Sequence, residues 1–561
     1  MRNLSCVVFV IASLVSAPLL AQTQAPQQPA QPPVKLYSGM GTLHHVISTS
    51  NPEAQRFFDQ GLTLVYGFNH EEAIRSFDRA AELDPQSPMP LWGRALALGP
   101  NYNMDIDLER EKNSYNTIQK ALKLAAAGPE NERAYVAALA KRYTDDPKAD
   151  LSRLAHDYAN AMRDLAHKFP DDPDAQVLFA ESLMDLHPWQ LWSVDGKPNE
   201  DTEELIATLE TVLKRWPDHI GANHYYIHAL EASPHPELAN SSAQRLGNAV
   251  PAAGHLVHMP AHIFLRTGNY SGAVKANQDA IASDMAFIQS SGADSSMYAV
   301  MYLAHNIDFL YYAAGMNGQF AISRDAANRI ATNGKPALGE FPMAEITIME
   351  PMFPLLRFAQ WEEVPRLDIP DPKFLGATLY SHFGRGVAFA ELGLLAAAQA
   401  EREAFANSVS HLPSGQPFGL LYNDWSTIAT LAGHVLDARI AAARSEAVNG
   451  ISATNGLGAA AIEHWRQAVA IQDKMNYDEP PEWYYPVRES LGAALLRAGK
   501  PAEAEAVFRE DLKQHPNNPR SLFGLWKSLE AQKKTAEAQQ ARQSFEEAWK
   551  QADTKLRIED F

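Results

Sequence analysis

Cysteine is almost absent from this chain. Its one cysteine, Cys6, lies in the first 21 residues, where Arg2 precedes the apolar run 7–20 and Leu19-Leu20-Ala21 ends in a small residue. That is the layout of a secretory signal, and the run is short for a membrane span. Cleavage after Ala21 would leave no disulfide, no thiolate ligand and no thiol nucleophile. The expectation is a periplasmic or secreted protein with no membrane segment after signal cleavage. Basic clusters are missing too: 48 Lys and Arg stand against 67 Asp and Glu, a formal charge of −19 that becomes −20 without Arg2. Nucleic acid and anionic membrane surfaces are therefore excluded as partners, and cations or neutral ligands fit better. No phosphate loop, dinucleotide fingerprint or nucleophile motif occurs, and runs of β-branched residues are scarce.

Alanine, leucine and glutamate dominate instead, in stretches of helical length separated by Gly or Pro, which predicts an all-α protein. At 561 residues the chain exceeds one ordinary core, and repetition is the economical solution. From Asn51, Phe57, Gly61, Ala73, Phe77, Ala80 and Pro85 fall at spaced aromatic, small and proline positions. Small Gly61 and Ala73 let two helices approach, Phe77 fills the gap, and Pro85 ends the second helix. The grammar returns at Leu491-Gly492, Ala504, Phe508 and Pro516, and again at Leu522, Leu525 and Ala538.

These segments resemble the tetratricopeptide (TPR) family, strongly at both ends and loosely between, over most of residues 51–552. The degraded central repeats look like those of secreted bacterial TPR proteins of unassigned function. The resemblance implies a right-handed α-solenoid of TPR-like helical hairpins with several inserted loops, at 99–107, 189–201, 288–297 and 367–373. The division expected is a signal peptide at 1–21 and a Gln/Pro-rich linker and N-terminal extension at 22–50. N-terminal repeats follow at 51–170, central His-rich repeats at 171–340, degenerate helical repeats at 341–480 and C-terminal repeats at 481–561.

The central region carries the chemistry. His224 and His228 are followed 34 residues later by His258 and His262, and 34 is the length of one TPR unit. His255 precedes the second pair, and His305 and Asp308 come next. Spacings of three and four place His255, His258 and His262 on one helical stripe. The TPR resemblance implies that residues second, fifth, ninth and twelfth or thirteenth of a unit face a concave groove. Units starting at Ile220, Gly254 and Ala304 then place His224, His228, Glu231, His255, His258, His262, His305 and Asp308 there. A unit starting at Pro173 adds Glu181 and Asp185.

Imidazole and carboxylate are the natural ligands of a divalent transition metal (Zn, Fe, Mn, Ni or Cu) where thiolate is lacking. The six histidines form the ligand pool for one ion or two, with Glu181 and Asp308 as additional ligands. Glu231 or Asp308 would act as orienter or general base. A zincin assignment is rejected, because Tyr225 stands where the HExxH motif has glutamate. The alternative is a TPR scaffold binding a peptide, a protein partner or a small molecule in the concave groove without metal. His44, His45, His70, His187, His382, His434 and His464 read as surface or satisfied core residues.

Overall fold

A computed structural model describes residues 32–292, 298–339, 344–413, 423–449 and 458–561. The segment expected to be a signal peptide and residues 22–31 of the expected linker lie outside them, as do residues 293–297 of the loop expected at 288–297. Among the described residues the chain is all-α: antiparallel helical hairpins follow one another from Pro52–Tyr66 to Thr535–Ala548, with no named strand. None of these helices is long and apolar enough to cross a membrane.

The first hairpin shows why these residues form these elements. Asn51 caps Pro52–Tyr66, its side-chain oxygen accepting from the backbone N–H groups of Glu53 and Ala54, and proline occupies the first turn, where its missing N–H costs nothing. Phe77 of His70–Leu83 is fully buried. It lies so close to Gly61 that a Cβ there would sit 2.6 Å from its ring, and it presses on Gly93 of the next helix as well. Phe508 repeats the arrangement between Gly492 and Gly524. One large ring locks three successive helices in both places, and only glycine permits that approach.

The stack does not stay open. One apolar core runs from Ile47 to Tyr302 and another from Ala261 to Phe561, and Phe264 and Leu303 pack against both. The C-terminal hairpins return onto the middle of the chain. The Asp553 carboxylate accepts from the backbone N–H groups of Phe320 (2.7 Å) and Ala321 (2.9 Å), at the start of Phe320–Gly334, a favourable place for negative charge. Buried Arg357 pairs with Glu489 at 3.1 Å, and Arg520 Nη1 donates to the Arg357 carbonyl at 2.8 Å. At the other end, His45 holds the N-terminal extension to buried Asp174 at 2.8 Å. Asp174 also accepts from Tyr66 (2.7 Å) and lies 3.2 Å from His219 Nε2. The seam between the two cores is where the central histidines sit.

Candidate metal centre

The histidine helices are Ile220–Glu231, then Gly254–His258 continuing through helical Met259 into Pro260–Thr267, and Ala304–Met316. His224, His228, His255, His258 and His262 are at most 2% exposed. The open concave groove expected from sequence is thus an interior. The end of the first hairpin, the loops around Tyr102 and Trp189 and the segment around Glu479 cover it, and each comes from far along the chain.

The six histidines divide into two triads. Ligand nitrogens of His224, His228 and His255 all lie within 4.8 Å of one another, and so do those of His258, His262 and His305. Each triad is backed by one phenyl ring. Phe68, in the left-handed backbone region at φ +55°, lies 4.7 Å from the His224 ring and 5.4 Å from His255. Phe309 lies 4.7, 4.5 and 4.8 Å from His258, His262 and His305. A non-glycine residue at positive φ costs about 1–3 kcal/mol and needs its surroundings to hold it; Phe68 is wedged against the first triad.

Hydrogen bonds set the tautomers. His224 Nδ1 lies 2.6 Å from the Tyr66 carbonyl, which is in the last turn of its helix and has no intrahelical partner. His228 Nδ1 lies 2.7 Å from Glu231 Oε1. His258 Nδ1 lies 2.6 Å from Asn277 Oδ1, whose identity follows because Asn277 Nδ2 donates to the Ala273 carbonyl. His262 Nδ1 faces both Glu231 Oε2 and Glu479 Oε2, the latter at 2.5 Å. The Tyr66 carbonyl, the Glu231 carboxylate and Asn277 Oδ1 accept, so these four Nδ1 atoms carry the proton and the Nε2 atoms of His224, His228, His258 and His262 keep their lone pairs. In the first triad His228 Nε2 and His255 Nδ1 are buried with no partner, and His224 Nε2 is 3.1 Å from His255 Nε2. In the second triad His258 Nε2 and His262 Nε2 face each other at 2.6 Å.

Glu231 joins the two triads, its Oε1 on His228 and its Oε2 on His262. Burial would raise its pKa, but His262 and His228 outweigh that and hold it well below the usual range. Burial and the Glu231 charge push Glu479 well up. Burial, reinforced by neighbouring imidazoles, pushes His224, His255 and His258 well below the ordinary histidine value, and His305 down to about 3. These rings stay neutral, the form that ligates metal. Behind His255, Tyr298 Oη accepts its backbone N–H at 3.1 Å and donates to Asp284 at 2.7 Å. Gly254 is required there, since a Cβ would strike Asp284.

Two expected ligands stand elsewhere. Glu181 is buried but belongs with Asp185 and Arg142, whose Nη2 is 2.5 Å from Asp185. A buried guanidinium needs carboxylate more than a metal site does. Asp308 lines a cavity of about 2230 Å³ together with His228, His255 and His305, and its oxygens do not converge on the triads. Burial and nearby Asp478 push it up to about 7. Asn277, Glu479 and Phe68 were not anticipated, and no local sequence signal marks them. His45 belongs to a separate group with Asp172 and Asp174, and buried His70 lies 3.0 Å from the Ala97 carbonyl. Neither joins the triads.

No family model and no curated protein matches the chain. Among solved structures it is similar to Ypp1, with a TM-score of 0.43 and 9% identity over 92% of this chain and 78% of that one. It is also similar to the human IFIT1 dimer with m7Gppp-AAAA, at 0.29 and 12% over 91% and 92%, and to the APC/C hetero-tetramer Cut9–Hcn1, at 0.28 and 11% over 90% and 89%. All three likenesses are remote.

Proposed function

We propose that this is an exported TPR-like protein whose interior holds divalent transition metal ions, one at each histidine triad, as a catalytic centre opening on the large cavity. The observation that carries the reading is the contact between His258 Nε2 and His262 Nε2 at 2.6 Å. Each ring spends its proton on Nδ1, so two lone pairs meet in a buried site where His258 is held neutral. Such a contact is repulsive unless a proton or a metal ion is bound at these nitrogens. Imidazoles fixed by an outer carboxylate or carbonyl are how proteins prepare metal ligands, and here four of the six are fixed in that way.

Three protein ligands leave one position of a tetrahedral ion free, the arrangement of catalytic rather than structural sites. His228, His255 and His305 border the cavity, so the free positions would meet whatever enters it. The ion would supply Lewis acidity. The chain's own contribution is to fix the tautomers, keep the rings neutral and exclude bulk water with Phe68 and Phe309. Glu231 spends both oxygens on imidazoles and serves as orienter, not base.

A second reading is favoured by size alone. At about 2230 Å³ the cavity exceeds the ~300–1,000 Å³ of ordinary small-molecule sites, which suits an extended peptide bound without metal. Elemental analysis separates the two. Tag-free protein purified without chelator should carry transition metal, and the His258→Ala, His262→Ala double variant should lose the second-triad ion while keeping its helicity. Equal metal content in both proteins would overturn the metal centre and leave the peptide cavity.

A further inference from the structure

Among the carboxyl groups that line the same cavity are Asp308, Glu350, Asp478 and Glu482. Among the described residues none of these four is ion-paired with lysine, arginine or histidine. Several other buried charges are matched: Arg357 has Glu489, Arg142 has Asp185, and Glu231 has two imidazoles. Glu350 has no such match. It is 7% exposed, borders the cavity, and its Oε2 has no hydrogen-bond partner. An unpartnered buried carboxyl oxygen is costly unless something from outside completes it.

The acids do not form a further metal site, because no three of them bring ligand oxygens together as the triads do. Aromatic rings fill the spaces instead. Tyr311, Phe353 and Tyr484 line this wall, and Phe353 stacks on Tyr484 at 4.8 Å between ring centres. Carboxylates interleaved with aromatic faces suit an organic cation, whose charge meets the oxygens while its methylene stem lies on the rings. The position is also set. Asp308 is one helical turn beyond His305, and Asp478 directly precedes Glu479, which touches His262. The acidic wall therefore adjoins the second triad.

We propose that this wall receives the ammonium or guanidinium end of an extended substrate, while the rest of that substrate reaches the free positions of the triads. Only the second half of this statement rests on the metal reading. A free polyamine and a basic side chain on a peptide share the required chemistry. They are distinguished by titrating spermidine in one arm and N-acetyl-Gly-Lys-Gly in the other, with 1,8-octanediol and N-acetyl-Gly-norleucine-Gly as counterparts without an ammonium group. Calorimetry on both metal-loaded and EDTA-stripped protein should show at least one cation binding ten or more times more tightly than its counterpart. The Asp308→Asn, Glu350→Gln variant should lose that preference at unchanged helicity, and Glu482→Gln alone should reduce it. Preference in stripped protein with no metal ever found would leave the cation site standing and the metal centre refuted. Normal metal content with no preference for either cation, or a preference unchanged in folded variants, would overturn the cation site alone.

Discussion

Replacing Glu231 by glutamine changes one oxygen to an NH2 group at constant shape and should damage both triads at once. In the wild type, Oε1 and Oε2 accept from His228 and His262. Glutamine has one acceptor and one donor, so one imidazole would face an N–H. That ring must give up its Nδ1 proton, take the other tautomer and place N–H where the metal needs a lone pair. The other ring keeps its bond but loses the assistance of a full charge. Loss of an outer-shell partner lowers metal affinity by roughly 10–100-fold, equivalent to about 1.4–2.7 kcal/mol. Competition against a fluorescent chelator measures it, resolved into two binding steps. The control is Glu479→Gln: Glu479 already leans toward its neutral form, so that variant should bind close to wild type. Wild-type affinity at both steps in Glu231→Gln, or equal damage from the two substitutions, would refute the orienting role.

Stability should depend on pH in the metal-free protein. Burial holds His224, His255, His258 and His305 below the ordinary value of 6.5, so below pH 6.5 the unfolded chain binds protons that the folded one refuses. Each group then removes up to about 1.4 kcal/mol of stability per pH unit; urea unfolding of EDTA-treated protein should weaken steeply from pH 7 to 5.5, and a flat profile would contradict neutral burial. Gly61→Ala would put a methyl group 2.6 Å from the Phe77 ring, and overpacking of that kind costs about 1–3 kcal/mol. The melting temperature should fall while metal content stays unchanged.

Much of the architecture was legible because a repeat writes its packing into the letters. The approach of Gly61 to Phe77, and of Gly492 to Phe508, needs residues of fixed size at fixed spacing, and both can be read without coordinates. The pooling of six histidines was legible for the same reason, since equivalent positions in stacked hairpins become neighbours. The split into two triads was not. His255 turns toward His224, whereas His258 and His262 turn toward His305, and that depends on the rotation between successive hairpins. Nor could a register argument find Glu479, which meets His262 across 217 residues, or Phe68, which enters from the first hairpin. Local pattern also failed for Glu181: the groove register placed it correctly inside, but Arg142 claimed that region electrostatically. The closure of the groove has one cause throughout: loops and chain ends return over it, and such long-range contacts leave no periodic trace.

The central claim is that two ions sit at two defined sets of nitrogen atoms, and anomalous diffraction tests it most directly. Crystals of the tag-free protein, grown after incubation with a single divalent transition metal and measured at its absorption edge, should show two anomalous peaks. One should lie about 2.0–2.1 Å from nitrogen atoms of His224, His228 and His255, and the other at that distance from those of His258, His262 and His305. Peaks confined to surface histidines such as His44 or His235, with the triads empty, would contradict the account.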